Sequence, residues 1–321
     1  MPNTPGMIVC VSANPGLDRR VRIHTFVPGQ VNRAAEAEAM PGGKAAHVAI
    51  ASRALGVKTA WIGFLGAATG EQLGAQLARL KIEVVSIKTR AATRVNLELI
   101  EGSGRITEVL EPGTAPDPKE TQQMLDTFAE LLRGAWKGAL VVISGSLPSG
   151  MPNDFYAQLM NRAAEAGSKV FLDTSGEALA VALKAGPALL KSNRDETEAL
   201  LGKALSRPED ALAACHQFLE RGAQSAAVTL GPNGLVWLES KGGTAWVAKP
   251  PKMEAISTVG CGDVTLAGFG FAALQRWTGE KAIRFATACG AANCVAPHAG
   301  EISAKIVSDL LPRIELEATQ L

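Results

Sequence analysis

The sequence predicts an α/β protein: a mostly parallel central sheet flanked by helices on both faces, with a small β-sheet lid. Two observations carry that expectation. Short runs at 7–12, 59–64 and 139–143 are apolar at consecutive positions, the signature of strands covered on both faces, and helical patterns separate them. Two stretches, 21–40 and 84–110, break the alternation and carry strand-like patterns instead.

The elements follow in order. Residues 7–12, bounded by turn residues, read as the first buried strand. A helix follows at 43–55 with Ala46, Val48, Ala49 and Ala51 turned inward, then a strand at 59–64 and a helix at 70–80. Residues 117–133 start behind Pro116 with an acidic first turn and run on as a long helix. Strands are expected at 139–143, 169–173, 188–190 and 226–230, with helices at 153–166, 176–184, 194–201 and 208–221. The runs 235–239 and 244–248, joined through Lys241-Gly242-Gly243, read as an edge hairpin. The last third turns helical, at 262–276, 281–297 and 303–314.

Within 84–110 two or three strands are expected. Gly102-Ser103-Gly104 is the hairpin turn, and Val95, Leu97 and Leu99 alternate with Asn96 and Glu98. The segments 19–40 and 84–111 are read as a discontinuous lid inserted into one domain spanning 1–321. No internal repeat and no Pro/Gly/Ser linker marks another boundary.

The chain's 321 residues suffice for two domains or one large α/β domain, with a core that needs no disulfide or metal. Lys and Arg number 32 against 31 Asp and Glu, a net charge of +1, which gives no footprint for duplex nucleic acid or an anionic membrane. A small anionic substrate held by a few placed groups stays open. Residues 1–6 are polar and turn-prone, and the apolar run after them is too short for a secretory leader. No stretch approaches the roughly 20 apolar residues that cross a bilayer, so a soluble, cytoplasmic protein is expected. The cysteines, Cys10, Cys215, Cys261, Cys289 and Cys294, form no C-x-x-C pair, and their odd number fits reduced thiols. The histidines show no metal-ligand spacing.

The strongest local signal is Ser257-Thr258-Val259-Gly260-Cys261-Gly262-Asp263, which leads into a helix of small residues. Two glycines one residue apart let the backbone aim several N–H groups at one point, where the helix adds the positive end of its dipole. The result is an anion hole. Asp263 is then either a first-turn acid or a general base beside the hole. Pro41-Gly42-Gly43-Lys44 opens the first helix with glycines that admit a ligand, though such entries are common. Asp18 follows the first strand, where α/β sheets place ligand groups; alone it is a loop carboxylate. Lys191-Ser192-Asn193-Arg194-Asp195-Glu196 sets Asn193 and Glu196 three apart. That spacing suits a capping box, or a pair reaching a magnesium–phosphate cluster directly or through water. Thr229-Leu230-Gly231-Pro232-Asn233-Gly234 ends a strand in a turn that is either a hairpin entry or the wall of a nucleotide site.

In order along the chain, these motifs resemble the ribokinase-like carbohydrate kinases of the PfkB family. The nearest branch holds the 1-phosphofructokinases, tagatose-6-phosphate kinases and minor 6-phosphofructokinases. Asn14-Pro15-Gly16-Leu17-Asp18 looks like the branch's first-strand motif, and Pro28-Gly29-Gln30-Val31-Asn32-Arg33 like its lid motif. Pro41-Gly42-Gly43-Lys44 begins the first family signature, and 257–268 is similar to the second. Ser144-Gly145-Ser146-Leu147-Pro148 and the segment from Lys191 to Glu196 also match in place.

The resemblance implies a ribokinase-like fold and phosphotransfer from ATP, with Mg²⁺, to a hydroxyl of a ketohexose monophosphate: fructose 1-phosphate, fructose 6-phosphate or tagatose 6-phosphate. It implies Asp263 as the base, and Gly260, Cys261 and Gly262 as the anion hole. Asp18, Gly43, Lys44, His47 and Ser146 fall toward the sugar. Arg94, with Arg33, falls toward the phosphate the sugar already carries, which a guanidinium fork suits. Lys191, Asn193, Thr229, Gly231 and Gly234 fall on the nucleotide side, and Glu196 near Mg²⁺, directly or through water. A homodimer through paired lid sheets comes with the resemblance, as does a monovalent cation near 289–301; pairing would also cover an exposed sheet edge.

Two positions depart from the family pattern. His47 stands where the first signature has Asn, as a sugar contact of longer reach or as a satisfied histidine on a buried helix face. Cys261 stands where the anion hole usually has Ala, and a thiol at a helix N-terminus is expected to have a lowered pKa and to confer sensitivity to oxidants. Two rival readings remain. A kinase of an unphosphorylated sugar or nucleoside has Arg94 and Arg33 against it. A non-catalytic sugar-phosphate binder has only His47 and Cys261 for it. A dinucleotide-binding oxidoreductase is disfavoured, because no G-x-G-x-x-G follows the first strand.

Overall fold

Met7–Ser12 (β1) is buried along its whole length. Its side chains alternate between two cores: Ile8 and Cys10 join one apolar cluster, Met7, Val9 and Val11 the other. A strand so placed needs a layer of helices on each face. The computed structural model describes residues 6–320, so most of the polar start, 1–5, lies outside the described residues.

After β1 come Gly16–Ile23 (β2), Glu36–Gly42 (β3), Lys44–Ala54 (α1), Lys58–Leu65 (β4), Ala67–Arg79 (α2) and Glu83–Lys88 (β5). Arg94–Glu101 (β6), Ile106–Leu110 (β7), Pro118–Arg133 (α3), Leu140–Ser144 (β8), Phe155–Glu165 (α4) and Val170–Asp173 (β9) follow. Then come Gly176–Ala182 (α5), Leu189–Asn193 (β10), Arg194–Leu201 (α6), Pro208–Glu220 (α7), Ala226–Thr229 (β11), Leu235–Leu238 (β12) and Thr244–Lys249 (β13). Cys261–Leu274 (α8), Gly279–Asn293 (α9), Ala304–Leu310 (α10) and Glu315–Gln320 (β14) complete the chain.

The main sheet has ten strands in the order β14-β13-β12-β11-β10-β9-β8-β1-β4-β5. From β11 to β5 every neighbouring pair is parallel, while β12, β13 and β14 add on antiparallel. The expected α/β class, with its mostly parallel sheet and its separate small sheet, is therefore present. The small sheet has four strands in the order β3-β2-β6-β7.

Local chemistry explains the helix ends. Asp117 caps α3, accepting from the backbone N–H groups of Lys119 and Glu120, while Glu120 accepts from the N–H of Asp117 and Pro118 stands in the first turn. In α1 the residues from Ala45 to Ser52 are all buried, and the small side chains among them let α8 pack closely.

Two expectations are corrected. Glu83–Lys88 lies in the segment read as lid, yet it extends the main sheet as β5, parallel to β4, with Ile87 buried beneath it. The second arm of the small sheet thus begins at Arg94. The helix expected over 303–314 ends at Leu310. Pro312 sits in a 3₁₀ turn, and the chain then forms β14, an edge strand antiparallel to β13 that the sequence reading missed.

Candidate active site

In a parallel sheet the carboxyl ends of the strands open into loops free to hold ligands. Here Ser12 ends β1, Ser144 ends β8, Asn193 ends β10 and Thr229 ends β11, and all four line one cavity of about 1360 Å³. That exceeds the range of about 300–1,000 Å³ usual for a single small ligand, so there is room for two. Strands β2 and β6 of the small sheet bring Asp18, Arg94 and Asn96 into its wall.

The first polar network joins the small sheet to α8. Register sets Asn96 opposite Asp18, and the Asn96 amide donates to Asp18 Oδ1 at 2.7 Å. Asp18 Oδ2 lies 3.4 Å from His47 Nε2, and His47 Nδ1 donates to Asp263 Oδ2 at 2.8 Å. All three are buried. With a carboxylate at each ring nitrogen, the imidazole donates at both and carries charge. Burial works against that charge, but the hydrogen bonds and charges of Asp18 and Asp263 outweigh it and push His47 up to about 10. His47 is thus an imidazolium tie between the two carboxylates.

The second network sits at the other side of α8. Lys44 Nζ donates to Asp173 Oδ1 at 2.7 Å and to Glu196 Oε1 at 2.6 Å, and Lys191 Nζ donates to Asp173 Oδ2 at 2.7 Å. Asp173 is fully buried. Burial would raise its carboxyl, but Lys191 and Lys44 hold it below the usual carboxylate range. Burial opposes the Lys44 charge in turn, and Asp173, Glu196 and Asp263 raise its pKa above the usual lysine range. Lys44 and His47 are three apart on α1, so one helix face serves both networks.

The N-terminus of α8 lies between them. Gly260 caps it at φ +78°, and a Cβ there would lie 2.8 Å from Ala299 Cβ. A Cβ on Gly262 would sit 2.7 Å from Lys191 Nζ, so the ammonium lies against the first turn of the helix. Backbone N–H groups, a helix dipole and a lysine converge there, which is the chemistry of an anion site.

Most residues singled out from the sequence line this cavity: Asp18, Gly43, Lys44, His47, Arg94, Ser146, Lys191, Asn193, Glu196, Thr229, Gly231, Gly234, Gly260, Cys261, Gly262 and Asp263. Arg33 does not. It is exposed on the loop between β2 and β3 and lies outside the cavity lining of this chain. Arg94 donates through Nη1 to the Glu111 carbonyl at 2.6 Å, while its buried Nε has no protein partner. Asn193 and Glu196 form the capping box: Asn193 Oδ1 accepts from the Glu196 N–H at 2.8 Å, and Glu196 Oε2 accepts from the Asn193 N–H at 3.0 Å.

The sequence reading missed Asp173, Asn96 and Cys294. Asp173 closes a strand at the sheet's functional edge, a signal that was available; Asn96 and Cys294 carry none. Cys294 reverses one expectation. Its sulfur lies 3.0 Å from Cys261 Sγ, and that contact, with burial, raises the Cys261 thiol instead of lowering it.

The sequence profile of the pfkB family of carbohydrate kinases matches residues 7–305. The chain belongs to this family. Within it, the chain is similar to the 1-phosphofructokinase of Xanthomonas campestris pv. campestris, with 33% identity over 316 residues, covering 97% of this chain and 98% of that protein. It also resembles crystal structures of Escherichia coli phosphofructokinase-2, covering 96% of this chain and 99% of theirs: the complex with potassium at a TM-score of 0.89 and 30% identity, and the complex with fructose-6-phosphate at 0.86 and 29%. As a pfkB family carbohydrate kinase, the protein is a phosphotransferase.

Proposed function

We propose that the protein transfers the terminal phosphoryl group of ATP to a hydroxyl of a ketohexose monophosphate, giving a bisphosphate. Fructose 1-phosphate is the acceptor we favour, on the likeness to a 1-phosphofructokinase over nearly the whole of both chains. Fructose 6-phosphate and tagatose 6-phosphate come next.

One observation carries the reading. Asp263 stands in the first turn of α8, tied through His47 to Asp18 on one side, while the same turn lies against Lys191 on the other. A carboxylate so placed can take the proton of a hydroxyl gripped near Asp18. The N–H groups of Cys261 and Gly262, with Lys191, can steady the charge on the phosphoryl group in transit. Asn193, Thr229, Gly231 and Gly234 form the nucleotide side. Asp18, Gly43, His47 and Ser146 form the sugar side, with Lys44 between.

Mg²⁺ fits the donor set. A hard cation of this kind takes one or two carboxylates, phosphate oxygens and several waters, not an all-protein cage. Among the described residues no cluster of three or more His, Cys, Asp or Glu is poised as such a cage, while Glu196 stands in the cavity wall. Glu196 would hold the ion through water, and bound Mg²⁺ supplies neutralisation of the nucleotide phosphates. A monovalent cation near 289–301 belongs to the same reading, on the likeness to a potassium complex. Replacing potassium with tetramethylammonium in the assay should lower turnover, and unchanged turnover removes the cation from the account.

Arg94 decides between a phosphorylated and a neutral acceptor. Its buried Nε lacks a protein partner, the state of a guanidinium kept for an anion. Arg94→Ala should raise KM for the sugar phosphate by about tenfold or more, the worth of one charge-assisted hydrogen bond, with kcat changed much less. Equal KM values for variant and parent in steady-state kinetics would exclude Arg94 as the phosphate contact.

The small sheet acts in this reading as a lid that excludes water from the transfer. Its edge strand β7 leaves Val109 and Leu110 exposed, at 56% and 58% of their surface. An open apolar edge of this kind is covered when two lids pair as a homodimer. Analytical ultracentrifugation should give a dimer that Val109→Lys dissociates; a monomeric parent contradicts the pairing. No helix among the described residues is long and apolar enough to cross a membrane.

A further inference from the structure

The cavity holds one reactive pair that the transfer does not use. Cys261 is the first residue of α8, within the anion loop, and Cys294 follows the last residue of α9. Their sulfurs lie 3.0 Å apart, both residues are half-buried, and both line the cavity. Cys10, Cys215 and Cys289 are buried instead, and burial raises their thiols.

The two ends of the pair are already fastened together. The N–H of Ile256 donates to the Cys294 carbonyl at 2.7 Å, and the Asn293 amide donates to the Val259 carbonyl at 2.7 Å. Asn293 Oδ1 accepts from the Gly300 N–H at 2.8 Å. The loop that carries the anion hole and the end of α9 therefore form one unit, with the two sulfurs inside it.

We propose that Cys261 and Cys294 are a reversible modification site, a dithiol that a hydroperoxide oxidises to a disulfide, and that the disulfide suppresses phosphotransfer. One sulfur of the pair attacks, and the other stands 3.0 Å away to resolve it. A hydrogen bond between the sulfurs favours the thiolate of whichever one accepts it, and the thiolate is the nucleophile. Its lone pair forms an S–O bond to the peroxide as the O–O bond breaks, and with a proton the leaving oxygen departs as water. The second cysteine then attacks the sulfur of that sulfenic acid, its thiol proton leaving with the hydroxyl as a second water. In sum, two thiols and one hydrogen peroxide give one disulfide and two waters. The sulfurs together lose two electrons, and the peroxide gains them.

A disulfide bond measures about 2.03–2.05 Å, so the sulfurs must close by about 1 Å. Cys261 transmits that movement to the turn that holds Gly262 and Asp263. A displacement of about 1 Å at reacting groups can cost about 10²-fold in rate. The inference goes beyond the proposed transfer and depends on no particular sugar.

Hydrogen peroxide treatment of the purified protein, digested without reduction, should yield a peptide linking Cys261 to Cys294, lighter by two hydrogens than its reduced parts. Turnover with ATP and the sugar phosphate should fall by about tenfold or more and return with dithiothreitol. Cys294→Ser should form no link and keep its turnover through the same treatment. Cys294→Ala, which also cannot link, replaces it if the serine variant fails to fold. A treated parent without the linked peptide overturns the site. A link without loss of turnover, or a Cys294→Ser protein that loses turnover as fast as the parent, overturns its effect. The link is read by mass alone, so a failure of the proposed reaction leaves that arm standing.

Discussion

Asp263→Asn is expected to lower kcat by about 10²–10⁴-fold while KM for the sugar phosphate changes by only a few-fold. Asparagine keeps the shape and one acceptor oxygen, so the 2.8 Å hydrogen bond from His47 can survive the change. The tie from His47 to Asp18 can survive with it, and the sugar side of the cavity keeps its form. What is lost is the capacity to take a proton, which matters in the transition state and not in the ground-state complex. A hundredfold loss corresponds to about 2.7 kcal/mol of barrier. Steady-state kinetics on a variant with the parent's circular dichroism spectrum is the measurement. Turnover within a few-fold of the parent would remove Asp263 as the base.

Asp173→Asn should be the most damaging single change to stability. The carboxylate is fully buried, and it alone joins Lys44 and Lys191, each at 2.7 Å. Removing its charge leaves Lys191 buried with no carboxylate and Lys44 with Glu196 only. Breaking a buried pair on one side costs about 3–5 kcal/mol, a large part of the ordinary stability of about 5–15 kcal/mol. Lys191 would also lose its hold beside Gly262, so KM for ATP should rise. Because Asp173 is held below the usual carboxylate range, its contribution is complete above about pH 4 and fades as the pH falls further. The stability gap between parent and variant should therefore be full at neutral pH and shrink in acid. Urea unfolding at both pH values tests this, and a neutral-pH loss below about 1 kcal/mol contradicts it.

The apolar runs that became β1, β4 and β8 were legible because burial on both faces confines polar residues to the strand ends. Motifs set by backbone needs were legible too. Gly260 and Gly262, Asn193 with Glu196, and Gly43 with Lys44 are local requirements of turns and helix starts, and they converge on one cavity. What escaped is what depends on pairing across the chain. Glu83–Lys88 has a strand's pattern, but nothing local says that its partner is β4 and not the small sheet. β14 lies only a short turn beyond α10, so the helical pattern was carried past Pro312.

The same holds within the site. Cys294 lies 33 residues from Cys261 in sequence, and only the packing of α9 on α8 shows that a helix-start thiol has a neighbour that reverses its pKa. His47 was visible as a departure from a family pattern. That it joins two carboxylates follows only from the placement of α1 between the small sheet and α8. Arg33 and Arg94 came from the same family resemblance, and only the fold shows that Arg94 lines the cavity of this chain and Arg33 does not.

ATP turnover with a panel of acceptors separates a sugar-phosphate kinase from a kinase of neutral acceptors and from a non-catalytic binder. ADP release should be measured with ATP and Mg²⁺ alone, then with fructose 1-phosphate, fructose 6-phosphate, tagatose 6-phosphate, unphosphorylated fructose and a nucleoside. ADP release should depend on a ketohexose monophosphate, with formation of the bisphosphate. Equal or faster release with the unphosphorylated acceptors, or no release with any of them, would contradict it.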